Sequence, residues 1–199
     1  MERMPLVECL EVLRAARRDQ VVITTMGTAR EWMKLGSHPL DFIYAPSAMG
    51  EAPSLGLGLA LARPNRQVIV CNGDGCMLMN LGCLVTITAA APRNYVLVVF
   101  ENSVYEVTGG QATAAAAAVR PAGARVDFAA LARGAGFQQV HQFRSLESWQ
   151  EGVHEVLRAV GPTFVVVHVE PVPGGAVPVS PGPAPDRARA LARALEAAS

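Results

Sequence analysis

Two runs in this chain, Tyr95-Val96-Leu97-Val98-Val99-Phe100 and Thr163–Val169, are apolar almost without interruption. A strand can carry such a run only if both of its faces are covered, which is the condition of a parallel sheet packed between helices. Shorter strand-like runs occur at Val21–Thr25, Phe42–Tyr44, Gln67–Cys71 and Gln138–Gln142. Helix-like stretches separate them at about residues 5–18, 28–35, 51–63, 80–91, 126–135 and 146–160. Strands alternating with helices imply βαβ crossovers. The expectation is therefore an α/β fold in three layers, α/β/α, around a six-stranded, mostly parallel sheet. Residues 171–185 hold six prolines and two adjacent glycines and read as an extended tail, followed by a short amphipathic helix over Arg187–Ala198. This divides the chain into a domain over 1–170 and a tail over 171–199. That helix could dock on this chain or on another.

The chemistry concentrates at two predicted strand ends. Gly73-Asp74-Gly75 follows the run Val68-Ile69-Val70, and Glu101-Asn102 follows Tyr95–Phe100. A helix-length segment lies between them. Neighbouring strand ends of an open parallel sheet form the crevice in which ligands bind. A carboxylate and an amide oxygen there suit Mg²⁺, which takes oxygen ligands octahedrally and often shares them with phosphates. The bland alternative is a tight Gly-Asp-Gly turn and an Asn capping a helix.

Composition narrows the classes. The 199 residues are 51% hydrophobic and 17% charged with zero formal net charge, which argues against disorder and against a nucleic-acid footprint. No apolar run reaches membrane-spanning length, and the opening Met1-Glu2-Arg3-Met4-Pro5 does not resemble a signal peptide, so a cytoplasmic location is expected. Cys9, Cys71, Cys76 and Cys83 form no Cys-x-x-Cys pair and read as buried thiols rather than as ligands of a metal or an iron–sulfur cluster. Gly56 and Gly58 lie inside a helical pattern without a third glycine after a strand, which discounts a dinucleotide fingerprint. His38, His141, His154 and His168 are isolated and read as structural, and Glu51 as a first-turn helix carboxylate.

The flanks of the two strand ends carry more. Ser47-Ala48-Met49-Gly50 precedes Leu55-Gly56-Leu57-Gly58-Leu59-Ala60, and Asn102-Ser103-Val104-Tyr105 precedes Thr108-Gly109-Gly110-Gln111. Together with Gly73-Asp74-Gly75, these runs resemble the diphosphate- and metal-binding motif of thiamine diphosphate (ThDP) enzymes. Within that family they are most similar to sulfopyruvate decarboxylase β subunits and phosphonopyruvate decarboxylases. The resemblance covers roughly residues 20–170. Two departures stand out: Glu101, where the family has Asn or Asp, and the low-complexity stretch Ala112–Ala118, which raises the question whether that stretch contacts substrate.

The resemblance implies ThDP and Mg²⁺ as cofactors, with Asp74, Asn102 and the carbonyl of Val104 as metal ligands. Gly73 and Gly75 would let the backbone approach the diphosphate, and the N–H groups of Gly75 and Cys76 would face it. Gly27 and Thr28 either grip the far phosphate or form an ordinary strand-to-helix turn with Thr28 as cap. Met49 would support the bent cofactor, Ser47 would turn its carbonyl toward the aminopyrimidine, and Tyr105 would line the diphosphate loop or simply pack. The family's activating glutamate belongs to a pyrimidine-binding domain for which no candidate exists here, so no catalytic residue is expected on this chain. The implied protein is the β subunit of a 2-oxoacid decarboxylase, inactive without a pyrimidine-binding α subunit and also contacting itself, acting on a small 2-oxoacid. A decarboxylase or carboligase subunit for another 2-oxoacid, such as phosphonopyruvate, is the nearest alternative. A non-catalytic nucleotide-binding regulatory module is the alternative of another class.

Overall fold

The computed structural model describes residues 3–121, 124–174 and 178–197. In chain order the first half runs α1 (Leu6–Ala16), β1 (Val21–Thr25), α2 (Met26–Lys34), β2 (Asp41–Tyr44), α3 (Ala52–Ala62), β3 (Val68–Gly73), α4 (Asp74–Met79) and α5 (Cys83–Ala90). The second half runs β4 (Tyr95–Glu101), the short hairpin β5 (Val104–Tyr105) and β6 (Gln111–Ala112), α6 (Phe128–Gly134), β7 (Gln139–Phe143), α7 (Leu146–Arg158), β8 (Thr163–His168) and α8 (Ala184–Ala197). Six strands form one sheet in the order β2-β1-β3-β4-β8-β7, every pair parallel. The expected three-layer α/β/α architecture is what the chain adopts.

The apolar runs dictate this. Every residue of β4 and β8 is buried, as β1 is throughout. One face of the sheet packs against α1, α7 and Trp32 of α2 through Leu10, Leu13, Trp149 and Val153. The other face packs against α3, α5, α6 and α8 through Leu57, Ala60, Ile87, Phe128 and Leu191. Burying these side chains on both faces is the main favourable term holding the sheet, at about 25 cal/mol per Å² of apolar surface.

Three details differ from the sequence expectation. The segment after β3 is two helices rather than one: α4 stops at Asn80, whose backbone leaves the helical region, and α5 begins at Cys83. The hairpin β5/β6 was not expected; two-residue strands leave no periodicity to read. The C-terminal helix begins at Ala184, three residues before the expected Arg187, while Ala198 lies outside the described residues, as does 175–177 of the Pro-rich tail. That helix docks on its own chain. Leu191 and Leu195 enter the core, Arg187 Nη2 donates to the carbonyl of Ala45 at 2.7 Å, and its guanidinium lies 5.5 Å over the Phe42 ring.

The glycines of α3 play opposite parts. A Cβ on Gly56 would collide with Val70 Cγ2 and sit 3.1 Å from the Tyr95 ring, so glycine there sets how closely α3 approaches β3. A Cβ on Gly58 would meet nothing within 4 Å. Gly56→Ala should therefore destabilise the fold, by about 1–3 kcal/mol of overpacking less the helix-propensity gain. Gly58→Ala should stabilise it by about 0.5–1 kcal/mol. Urea unfolding of the two variants checks the opposite signs.

Candidate functional site

The strand order reverses direction between β1 and β3, since the chain goes outward from β1 to β2 and then crosses back. At such a switch point the crossover segments leave in opposite directions and a crevice opens at the carboxyl ends of the strands. A cavity lies there. It is lined by the residues following β1 (Thr25, Met26, Gly27, Thr28), those following β3 (Gly73, Asp74, Gly75, Cys76) and those following β4 (Asn102, Val104, Tyr105, Glu106), with Met49 and Met79 at its side.

Of the eleven site residues expected from sequence, ten line this one cavity. Ser47 does not. Its hydroxyl accepts from Thr25 Oγ1 at 3.0 Å and lies 3.2 Å from Met26 Sδ, which ties it to two residues that do line the cavity. Thr28 is not the cap of α2 either; Thr25 holds that position. The Thr28 hydroxyl accepts from the Thr25 N–H at 3.3 Å and lies within reach of the Thr25 and Cys71 carbonyls at 2.7 and 3.0 Å, which ties the turn to β3. Met49 is 45% exposed, so it is not core filler. Tyr105 stacks so closely on Gly75 that a Cβ there would meet the ring at 2.6 Å, which is why only glycine fits.

Asp74 is the electrostatic centre. It opens α4 and is 1% exposed. Its Oδ2 accepts from the Ser103 N–H at 3.0 Å, with the Thr113 hydroxyl at 3.4 Å. Burial, with the nearby charge of Glu101 behind it, raises its carboxyl from 3.8 to about 7, although N–H groups of Ser103, Gly75 and Asn102 pull the other way. No cation among the described residues pairs with it. A buried carboxylate so placed is a vacancy for positive charge, and the neighbouring donors are oxygens: the Asn102 amide and the Val104 backbone. That is the chemistry of a hard divalent cation. Among the described residues, no group of three or more His, Cys, Asp and Glu side chains could hold a metal.

The Asn102 amide is held at both ends. Oδ1 accepts from the Val104 N–H at 2.9 Å and Nδ2 donates to Glu106 Oε1 at 2.8 Å. Among the described residues three non-glycines have positive φ, and two of them are Met26 at +52°, which lines the cavity, and Ser103 at +67°, between the lining residues Asn102 and Val104. Such backbone costs energy and collects where a site demands it.

Sequence reading missed three participants. Glu106 lines the cavity and pairs with Arg30 at 3.0 Å. Glu101 carries no ligand role but joins His168 at 2.9 Å and Arg125 at 2.9 Å in a buried charge cluster, which holds its carboxyl below the usual range despite burial. Thr113 sits within the alanine-rich stretch, and its neighbour Ala115 enters the core. Glu106 and Thr113 lie in no motif, and Glu101 stands beside a ligand position without being one; their roles follow from tertiary contacts.

The family model for the thiamine pyrophosphate enzymes, C-terminal TPP binding domain, matches residues 23–167. The chain belongs to this family. It is 39% identical over 155 residues to a phosphonopyruvate decarboxylase of Streptomyces viridochromogenes, an alignment covering 77% of this chain and 36% of that protein. It is 37% identical over 166 residues to a sulfopyruvate decarboxylase subunit beta of Methanothermobacter thermautotrophicus, covering 83% of this chain and 82% of the relative. The chain thus spans about a third of the phosphonopyruvate decarboxylases it matches, 36% and 35% of their length. A solved structure assigned to the thiamin diphosphate-dependent enzymes, from Mycobacterium smegmatis, superposes with a TM-score of 0.70 at 21% identity, over 84% of this chain and 32% of that one, which establishes the common fold. As a member of the family, the chain carries its thiamine diphosphate-binding domain.

Among the described residues no helix is long and apolar enough to cross a membrane. All four cysteines are free and buried, and burial raises each thiol, those of Cys76 and Cys83 to about 11, so they stay protonated and inert at neutral pH.

The raised Asp74 carboxyl has a measurable consequence in metal-free solution. Between about pH 4 and pH 7 the unfolded chain gives up this proton while the folded chain keeps it. Stability therefore falls as pH rises through that window, by on the order of a few kcal/mol, and levels off above it. Asp74→Asn should flatten this slope and stabilise the metal-free chain at pH 8. Urea midpoints with a chelator present, at pH 5 and pH 8, check it; an unchanged slope in the variant would rule the carboxyl out as its source.

Proposed function

We propose that this chain is the diphosphate-binding, β-type subunit of a ThDP- and Mg²⁺-dependent 2-oxoacid decarboxylase, with residues 1–170 forming the cofactor domain and 171–199 a Pro-rich tail and short C-terminal helix. The observation that carries this reading is the buried Asp74 carboxylate, uncompensated by any described cation, in one cavity with the Asn102 amide and the Val104 backbone. These three would hold Mg²⁺. The backbone at Gly73, Gly75 and Cys76 would face the diphosphate, and Gly27 and Thr28 its far phosphate. A Cβ on Gly73 would meet nothing within 4 Å, so the missing side chain leaves open space where an anion can approach.

Bound ThDP supplies the electron sink that makes loss of CO₂ from a 2-oxoacid possible. This chain's part is to bind and orient. Met49, exposed on the cavity rim, would support the bent cofactor, with the Ser47 carbonyl toward its pyrimidine half and Tyr105 closing the diphosphate side. Proton removal from the cofactor requires a carboxylate that we assign to a separate pyrimidine-binding α subunit. Two findings support a divided site. The relative matched over 82% of its own length is named a beta subunit, whereas the phosphonopyruvate decarboxylases extend far beyond the aligned third. Moreover, α3 and α5 are mostly apolar and leave Leu55, Leu61 and Val85 exposed, as Met49 and Met79 are at the cavity. Exposed apolar side chains gathered in this way suit a surface that is covered, here by the α subunit and a second copy of this chain. The buried, protonated cysteines suit the cytoplasm.

Sulfopyruvate and phosphonopyruvate are the two substrates the relatives indicate. Both are 2-oxoacids bearing a second, strongly anionic group. Assaying both on the reconstituted pair separates them.

Asp74→Ala should abolish Mg²⁺-dependent ThDP binding by the reconstituted complex while the circular dichroism of the chain is retained, because the only charged ligand that the protein gives the metal is gone. Calorimetry reads this, and unchanged affinity would sink the metal assignment. The chain purified alone with ThDP and Mg²⁺ should release no CO₂ from either 2-oxoacid, and activity should appear on adding the α subunit. Sustained turnover by the isolated chain would refute the divided site.

A further inference from the structure

Glu106 stands in the cavity without a place in any motif. Its side chain is 6% exposed. Oε1 accepts from Asn102 Nδ2 at 2.8 Å and from the Val172 N–H at 2.8 Å. Oε2 accepts from Arg30 Nη2 at 3.0 Å and lies 2.9 Å from the point a Cβ on Gly27 would occupy. Both oxygens are therefore committed, and the carboxylate joins α2, the end of β4 and the start of the tail.

An asparagine amide offers an acceptor on one side and donors on the other, and a half-turn of its last torsion exchanges them. Only the oxygen can ligate a hard cation. An ionised carboxylate accepts and never donates, so Glu106 admits only the Nδ2 side of Asn102. The Val104 N–H, a donor, selects Oδ1 at the other end. We propose that Glu106 is a positioning residue for the divalent-cation site: by holding Asn102 Nδ2 it leaves Oδ1, rather than the amino group, as the atom offered to the metal. This rests on the metal reading given above and extends it to a residue that does not touch the cation. Groups that orient metal ligands from behind are worth about 10–100-fold in metal affinity.

The competing role for Glu106 is that of a strut, bracing Arg30, Asn102 and Val172 with no bearing on which Asn102 atom points where. Changing the ligand tells the two apart. In Asn102→Asp both terminal side-chain atoms are oxygens, so orientation no longer matters, and Glu106 then faces a like charge. Removing Glu106 should weaken metal binding when position 102 is Asn and should leave it unchanged or strengthen it in the Asn102→Asp background. A strut would be missed equally in both.

The measurement is Mn²⁺ titration of the full chain with ThDP and the α subunit present, free Mn²⁺ being read by electron paramagnetic resonance. Glu106→Ala is expected to raise the half-saturating Mn²⁺ about 10–100-fold in the native background and not at all beside Asn102→Asp. Glu106→Gln, which keeps one oxygen for Asn102, should raise it less. If Glu106→Ala fails to fold, Glu106→Gln in the two backgrounds reads the same reversal, with a loss beside Asn102 and a gain beside Asn102→Asp. Equal losses in both backgrounds overturn the proposal in favour of a strut. No loss in the native background, with Asp74→Ala still abolishing Mn²⁺ binding, overturns it and leaves the metal site standing. Unaltered Mn²⁺ binding by Asp74→Ala removes the metal site itself, and the positioning role with it.

Discussion

The site turns on a carboxylate placed where it is expensive to ionise. Asp74 sits at the end of a central strand, 1% exposed, with a second carboxylate, Glu101, near enough to oppose its charge. Backbone N–H groups soften that cost without removing it. A divalent cation would remove it, and the surrounding donors are the hard oxygens such an ion takes. The fold therefore holds a charge deficit in reserve at its binding crevice. Its stability and its ligand affinity are linked through one side chain.

The crevice itself is a result of topology. Because β2 lies outside β1 and the chain crosses back to β3, the turns after β1 and β3 diverge, and β4 adds the Asn102 loop beside them. The walls are kept in place by contacts among the lining residues and their neighbours. Thr28 ties the first turn to β3, Tyr105 packs on Gly75, and Arg30 and Glu106 bridge α2 to the β4 loop. Positive φ at Met26 and Ser103 is the backbone cost of bringing these turns together.

Much of this was legible in the chain. Continuous apolar runs at helix-length spacing force a parallel sheet covered on both sides, because no other arrangement buries Tyr95–Phe100 on two faces. Gly73-Asp74-Gly75 and Asn102 could be placed at neighbouring strand ends for the same reason: strand ends follow from where apolar runs stop. Short elements were not legible. A two-residue strand such as Val104–Tyr105 has no period, and a helix as short as α4 is too brief to show a helical repeat before the break at Asn80.

What the sequence determined by itself was the sheet, its helical layers and the ligand-type residues at its edge, since all of these follow from local runs and their spacing. Tertiary structure alone decided that the Ser47 hydroxyl is tied to Thr25 and Met26 rather than lining the cavity, that Thr25 rather than Thr28 caps α2, and that the C-terminal helix docks on its own chain. It also decided that Glu101 faces His168 and Arg125 while Glu106 faces Asn102 and Arg30. Apart from Glu106 with Asn102, such pairings join residues tens of positions apart, and a charged side chain near a strand end looks the same in sequence whether it meets water, a metal ligand or another charge. Only the packing of the turns after β1, β3 and β4 specifies which partner it finds and how dry the meeting is, and that dryness sets the electrostatic energy.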